Sequence, residues 1–168
     1  MHLIGRNLRS AARGLTLLEC VLALVILPLA VTAITYAVVA GQQQSGEALR
    51  RARAARLAEA MMEEILSRPY ADPQGSSALG PEAGESTRLL YDNIDDFHGL
   101  SEAAGSLKDA TLANCPSVLQ KFGRSVSCSL GSVTAGGLGA ISGIHVTVTV
   151  TENGSPVVTL TRFKANPS

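Results

Sequence analysis

The sequence GLTLLECVLALVILPLAVTAITYAVVA, residues 14–40, decides the fold of this 168-residue chain. From Leu15 to Ala40 it is an apolar run of 26 residues, which as a helix would be about 39 Å long, against a hydrocarbon core of about 30 Å. Glu19 is the only charged residue in that run. The stretch therefore predicts a membrane-spanning helix with one carboxylate near its start.

The residues before this run are basic. Arg6, Arg9 and Arg13 precede Gly14, and no acidic residue does. Positive flanks stay on the cytoplasmic side, so we expect a single-pass protein whose C-terminal part lies outside the cytoplasm. A second basic cluster, residues 50–56, lies on the proposed outer side and opposes this orientation, but the first flank usually dominates. We interpret the cluster as a solvated helix face, with binding to DNA or anionic lipid as the alternative.

The helix is expected to continue beyond the apolar run, nearly unbroken from about Leu15 to about Arg68. Pro28 removes one backbone hydrogen bond, which predicts a kink or a melted turn. Pro69 ends the helix, because the residue before a proline avoids helical dihedrals. Spacings of three and four predict one apolar face on the second half, made of Ala48, Ala52, Ala55, Ala58, Met62, Ile65 and Leu66.

The remaining residues, 69–168, predict a small antiparallel sheet of three or four strands, and the fold class is α+β. A Pro/Gly/Ser-rich connection follows the helix, and residues 101–119 have room for a short helix. Asn153-Gly154 is a strong hairpin signal between two alternating segments. The expected strands are Phe122–Leu130, Ile144–Thr151 and Pro156–Phe163, with a glycine-rich loop over Gly131–Gly143.

Charge and cysteine usage narrow the function classes. The chain has 14 basic and 14 acidic residues, so its net charge gives no reason to expect nucleic-acid binding. Without the three leader arginines, the chain has 11 basic and 14 acidic residues, which gives a net charge of −3. Cys115 and Cys128 fit one disulfide in an exported domain, and two free buried thiols are the alternative. Cys20 lies inside the apolar run, where we expect it to act as a small apolar residue.

Signatures of catalysis are missing from the sequence. It contains no Walker A loop, HExxH, CxxC or GxSxG motif, and its three histidines are scattered, so we do not expect an enzyme. The segment DNIDDFH offers the one candidate metal site, since Asp92, Asp95 and Asp96 could supply oxygen ligands to Ca²⁺. It lacks the EF-hand spacing, so we expect these residues to form a turn and we expect no cofactor.

Glu19 is therefore the strongest candidate for a functional residue. A carboxylate inside an apolar helix costs roughly 2.5–3.5 kcal/mol on insertion scales, and such a residue is functional by default. It is four residues beyond Leu15, so a new N-terminus at Leu15 would place an amine at the same end of the helix. In a bundle of such helices, the carboxylate of one subunit can pair with the amine of another. Hydration of Glu19 at the membrane interface is the alternative.

GLTLLE after a short basic leader resembles the cleavage signal of type IV pilins and type II secretion pseudopilins. The resemblance implies that prepilin peptidase cuts after Gly14, that the new N-terminus at Leu15 is methylated, and that Glu19 is required for ordered assembly. Leu15 departs from the usual phenylalanine, and Cys20 is also unusual there. The implied segments are a leader (1–14), a transmembrane helix half (15–40), an amphipathic helix half (41–68) and a globular domain (69–168).

The segments LAEAMMEEILSRPY and YDNIDDFHGL are similar to parts of minor pilins of the mannose-sensitive haemagglutinin type. The resemblance implies a minor subunit that starts in the inner membrane, with its C-terminal domain periplasmic, and later enters a pilus or pseudopilus. Its implied partners are other pilins or pseudopilins, prepilin peptidase, an inner-membrane assembly platform and membrane lipid, with no nucleic acid expected. The alternative is an uncleaved, single-span binding module.

Overall fold

The computed structural model describes residues 16–73, 75, 78–136 and 139–167. By contact, the chain divides into two compact units, Met1–Gly46 and Glu47–Ser168. One long helix and a four-stranded antiparallel sheet give the α+β class that the sequence predicts. The elements are helix α1 (Leu17–Leu66), the short 3-10 helices η1 (Asp95–Phe97) and η2 (Ser117–Leu119), and strands β1 (Ser101–Glu102), β2 (Phe122–Ala135), β3 (Gly139–Glu152) and β4 (Ser155–Ala165).

Helix α1 is 50 residues long and unbroken, which confirms the predicted continuous helix to within two residues at each end. Its last hydrogen bonds run from Ser67 N–H to the Glu63 carbonyl and from Arg68 N–H to the Ile65 carbonyl. Pro69 follows and cannot donate, so the helix stops where the sequence predicts.

The buried face of α1 differs from the predicted one. The structure exposes Ala48 and Ala52, and it buries Leu57 and Met61, which the prediction left out. Alanine is small enough to lie on either the buried or the exposed face of a helix, so the alanines do not determine which face packs against the core. The larger side chains do. The residues that pack into the core are Ala54, Leu57, Ala58, Met61, Met62 and Ile65.

The sheet has the order β1-β2-β3-β4, with every neighbouring pair antiparallel. The predicted alternation in β3 is confirmed, because its inward residues are buried and the threonines between them are half-buried. The Asn153-Gly154 turn is also confirmed: both residues have positive φ, 51° and 77°, as a type I′ hairpin requires. The inward-facing side chains are Val126, Cys128, Ile144, Val146, Val148 and Val150.

The predicted loop over Gly131–Gly143 is wrong. Strands β2 and β3 extend the hairpin through this segment, with Gly131 paired to Gly143 and Ala135 to Gly139. Strand pairing continues because Gly131 and Gly143 have no side chain, which allows neighbouring atoms to approach their backbone closely. A Cβ on Gly143 would overlap the Lys164 carbonyl oxygen and lie 2.7 Å from Cε2 of the Phe163 ring, so this glycine serves the sheet and not a loop. Residues 101–119 hold β1 and η2, so the predicted short helix is a single 3-10 turn.

A buried ionic network that the sequence did not predict joins the helix to the sheet. Arg88 lies 3.0 Å from Glu64 of α1 and 3.0 Å from Glu102 of β1, and its side chain is 3% exposed. Arg124 of β2 lies 2.6 Å from the other Glu102 oxygen. Both arginines also donate to the Lys108 carbonyl. The network fixes the irregular segment between α1 and β2, where regular strand pairing is sparse.

Candidate functional site

The N-terminal unit carries the residues for which the sequence predicts a function. Gly14 and Leu15, the predicted cleavage and methylation positions, lie outside the described residues. Helix α1 begins at Leu17, and Thr16 and Glu19 cap it reciprocally: Glu19 N–H donates to Thr16 Oγ1 at 3.3 Å, and Thr16 N–H donates to Glu19 Oε2 at 3.4 Å. This is a capping box, in which a Thr and a Glu three residues later satisfy free backbone donors.

The capping box gives Glu19 a local role beyond the one predicted from the sequence. A T-x-x-E signal at the start of an apolar run could have revealed it. A carboxylate is also favoured at the positive end of the helix dipole. Both hydrogen bonds are long, and Glu19 is exposed, so its carboxylate has room for a stronger partner.

The surface of α1 from Leu17 to Val39 is apolar and exposed. Its mean hydropathy reaches 2.6 over an 18-residue window, so it is long and apolar enough to cross a membrane. Exposed patches larger than a few hundred Å² normally mark sites of contact with membranes or other proteins. Its large exposed side chains are Leu17, Leu18, Val21, Leu22, Leu24, Val25, Ile26, Leu27, Leu29, Val31, Ile34, Tyr36, Val38 and Val39.

Pro28 lies inside this apolar segment without interrupting the helix, so the predicted melted turn is absent and the bend remains a prediction. Nearby threonine hydroxyl groups donate hydrogen bonds to backbone carbonyls three or four residues earlier in the helix. Thr32 Oγ1 donates to the Pro28 and Leu29 carbonyls, each at 2.9 Å, and Thr35 Oγ1 donates to the Val31 carbonyl at 2.8 Å. The two threonines thereby satisfy their hydroxyls within the helix, which suits an apolar environment.

In the C-terminal unit, the structure groups Asp96 with Glu82 and Glu85 and not with Asp92 and Asp95. Asn93 Oδ1 accepts from the N–H groups of Asp95 and Asp96, which is the turn-forming role that the sequence predicts for this segment. Burial raises the pKa of Asp95 to about 6, and burial likewise raises the pKa of Asp96 and of Glu85. Glu82 and Glu85 were missed because they lie in a connection with no periodic pattern.

The predicted disulfide is absent: Cys115 and Cys128, both in the described part of the chain, are free thiols. They have different surroundings. Cys128 faces the core from β2, and its sulfur lies 3.7 Å from the Ile94 carbonyl oxygen. Cys115 is half-buried beside η2, where its N–H donates to the Leu107 carbonyl. Burial raises the pKa of Cys128 to about 12, so this thiol stays protonated and unreactive at neutral pH.

The basic cluster at residues 50–56 is only partly a solvated face. Arg50 lies 2.9 Å from Glu47 and 2.9 Å from Glu152 at the end of β3, so it joins the helix to the sheet. Arg53 and Arg56 form no ion pair with any residue the structure describes. They line a cavity of about 480 Å³ together with apolar residues that include Leu57 and Val118.

Searches of family models, curated proteins and solved structures returned no match to this chain.

Proposed function

We propose that this chain is a minor pilin or pseudopilin. It is a structural subunit that prepilin peptidase cuts after Gly14 and that assembles through its N-terminal helix into a type IV pilus or type II secretion pseudopilus, in a priming or tip position. The observation that carries this proposal is the exposed apolar surface of Leu17–Val39, with Glu19 as the single carboxylate at its first turn.

The apolar surface needs an environment other than water. Lipid provides one before assembly, because a helix satisfies its own backbone groups and buries its side chains in the hydrocarbon. The equivalent helices of other subunits provide the second, because the same side chains can pack against each other in a filament core. A helix that serves in both environments explains why the described unit exposes every large side chain from Leu17 to Val39.

Glu19 gives such a bundle its register. The long capping hydrogen bonds hold its carboxylate at the helix N-terminus without using all of its acceptor sites. Cleavage after Gly14 creates an ammonium group on Leu15, close to this carboxylate in sequence. Away from water, a carboxylate and an ammonium group attract each other more strongly, so contacts between subunits that leave either group unpaired are disfavoured.

The surroundings follow from the same proposal. The uncut subunit is a single-pass inner-membrane protein with a cytoplasmic N-terminus and a periplasmic C-terminal domain. Its partners are membrane lipid, prepilin peptidase, the inner-membrane assembly platform and other pilins or pseudopilins. Leu15 is N-methylated after cleavage.

The second candidate is an uncleaved, single-span anchored binding module. The cavity of about 480 Å³ favours it, because its lining combines apolar side chains with four basic residues, Arg53, Arg56, Lys108 and Arg124, against two acidic ones, Glu64 and Asp109, an arrangement suited to an anionic ligand. The two candidates differ in what they require of the N-terminal unit. A binding module requires only insertion, whereas an assembly subunit also requires Gly14 and Glu19.

Two variants test the proposal in cells that carry the assembly machinery. Replacing Gly14 by a bulky residue should block leader removal, seen as a larger band on an immunoblot. Glu19→Ala should leave membrane insertion intact and abolish recovery of the subunit in sheared filaments. Glu59→Ala is the matched control, because it removes an exposed carboxylate from the same helix outside the apolar surface. Normal processing of the Gly14 variant, or normal incorporation of Glu19→Ala, would contradict the proposal.

A further inference from the structure

Three acidic side chains converge in the irregular segment between α1 and β1. Glu82 and Glu85 come from the connection that follows the helix, and Asp96 comes from η1. One carboxylate oxygen from each lies within 4.8 Å of the other two. Asp96 is fully buried and Glu85 is 6% exposed. We call these three residues the acidic cluster.

Backbone N–H groups donate to one oxygen of Glu85 and to one oxygen of Asp96. The other four carboxylate oxygens of the cluster accept no hydrogen bond among the residues described. Glu82 N–H donates to Glu85 Oε2 at 2.9 Å. Asp92 N–H and Asn93 N–H donate to Asp96 Oδ2 at 2.8 Å and 3.0 Å. Glu85 Oε1, Asp96 Oδ1 and both Glu82 oxygens are also buried, yet none of them has a hydrogen-bond partner among the residues described. The acidic cluster thus holds four unsatisfied buried oxygens.

Within the described part of the chain, these oxygens have no compensating positive charge. No described lysine, arginine or histidine forms an ion pair with the acidic cluster. The position of Asp96 is fixed, since its neighbour Phe97 is fully buried and its ring packs edge-on against Tyr91 with the centroids 5.0 Å apart. Buried carboxylates without a partner are strongly unfavourable, so this geometry calls for a bound proton or a bound cation.

We propose that the acidic cluster is a Ca²⁺ site. Ca²⁺ binds oxygen at 2.3–2.6 Å, so two ligands of one ion lie at most about 5 Å apart, and the three oxygens of the cluster, all within 4.8 Å of one another, meet this limit. One oxygen from each residue supplies three ligands of a shell of six to eight, the cluster's buried oxygens without a hydrogen-bond partner are available as further ligands, and water supplies the remainder.

The ligand chemistry selects this ion over others. All the donor atoms are carboxylate oxygens, which favours a hard cation over zinc or copper. Mg²⁺ keeps most of its waters and is usually held by one or two carboxylates, so three carboxylates in a buried cluster favour Ca²⁺. The backbone N–H groups that hold Glu85 and Asp96 act as outer-shell partners, since they fix the orientation of the free oxygens.

The bound ion would join two parts of the chain that share little regular structure. Glu82 and Glu85 lie in a connection with no strand, and Asp96 lies against the core. The sequence pointed instead to Asp92, Asp95 and Asp96, because residues adjacent in the chain are easier to group than residues brought together by a turn.

The test uses the full chain in detergent, treated with EDTA and then freed of the chelator. Calorimetric titration with CaCl₂ should give one saturable site, and Ca²⁺ at 100 times its dissociation constant should lower the unfolding equilibrium constant about 100-fold. Glu82→Gln should weaken Ca²⁺ binding about tenfold or more. This variant removes none of the hydrogen bonds described above, so it should fold, and in EDTA it should be at least as stable as the parent chain because it removes a buried like charge.

Glu63→Gln is the matched control, since Glu63 is exposed on α1 and outside the acidic cluster. It should bind Ca²⁺ as the parent chain does. Three results would overturn the proposal: no saturable Ca²⁺ binding by the parent chain, equal weakening by Glu63→Gln and Glu82→Gln, or Mg²⁺ binding as tight as Ca²⁺ binding. An absence of saturable Ca²⁺ binding would indicate that the buried carboxylates are protonated instead.

Discussion

Replacing Arg88 by methionine should destabilise the C-terminal unit far more than any exposed charge replacement. Arg88 is the cation shared by Glu64 of α1 and Glu102 of β1, and its side chain is 3% exposed. Its Nε lies 3.0 Å from Glu64 without the alignment of a hydrogen bond, so that contact is an ion pair, whereas the contact from Nη1 to Glu102 is a hydrogen bond.

The magnitude follows from burial. The side chains of Glu64 and Glu102 are 14% and 11% exposed, so water would compensate little for the lost cation. Arg124 would still neutralise Glu102, but Glu64 would lose its ion pair. Removing one partner of a buried pair costs about 3–5 kcal/mol. With a urea m-value of about 2 kcal/mol/M, the unfolding midpoint should fall by about 2 M.

The assay is urea unfolding of the full chain in detergent, followed by near-ultraviolet circular dichroism, because Tyr91 is buried beside Phe97. Arg51→Met is the control: Arg51 pairs with Glu47 in an i,i+4 contact, and its side chain is 69% exposed. That change should cost about 0.3–0.5 kcal/mol. Equal midpoint shifts for the two variants would refute the reasoning from burial.

Three further predictions concern the C-terminal unit. Gly143→Ala should cost about 1–3 kcal/mol of stability, because its Cβ would overlap Lys164 and Phe163, whereas Gly46→Ala meets open space and should not destabilise; urea midpoints check both. Cys128 should react with Ellman's reagent only in denaturant, and reductant should leave the midpoint unchanged, because both Cys115 and Cys128 are free. Hydrogen bonds from Lys121 and then Arg50 lower the pKa of Glu152 below 4.5, so its contribution to stability is full above that pH and is lost as the pH falls through the lowered value. Glu152→Gln should therefore flatten the dependence of the midpoint on pH below 4.5.

Much of the fold could be predicted because its strongest signals are periodic. The apolar run, Pro69 and the Asn153-Gly154 turn fix the helix and the last hairpin, since each has one low-energy local structure. The phase of the buried helix face was mispredicted because alanine tolerates both surfaces. The length of the β2–β3 hairpin was underestimated because a glycine in a close-packed strand looks like a glycine in a loop.

The sites were less predictable, for a related reason. Glu82, Glu85 and Asp96 meet only after the connection folds back, and Arg88 of that connection lies between Glu64 of α1 and Glu102 of β1. No local pattern encodes such contacts. Glu19 is different, because its capping partner Thr16 is three residues away and the pair is readable from the sequence.

The central claim is that the chain is cut after Gly14 and assembled through the helix that follows. Mass spectrometry of the subunit isolated from sheared filaments tests this most directly. The proposal predicts an N-terminal peptide that begins at Leu15 and carries one methyl group on its amine. An assembled subunit that still begins at Met1 would contradict it.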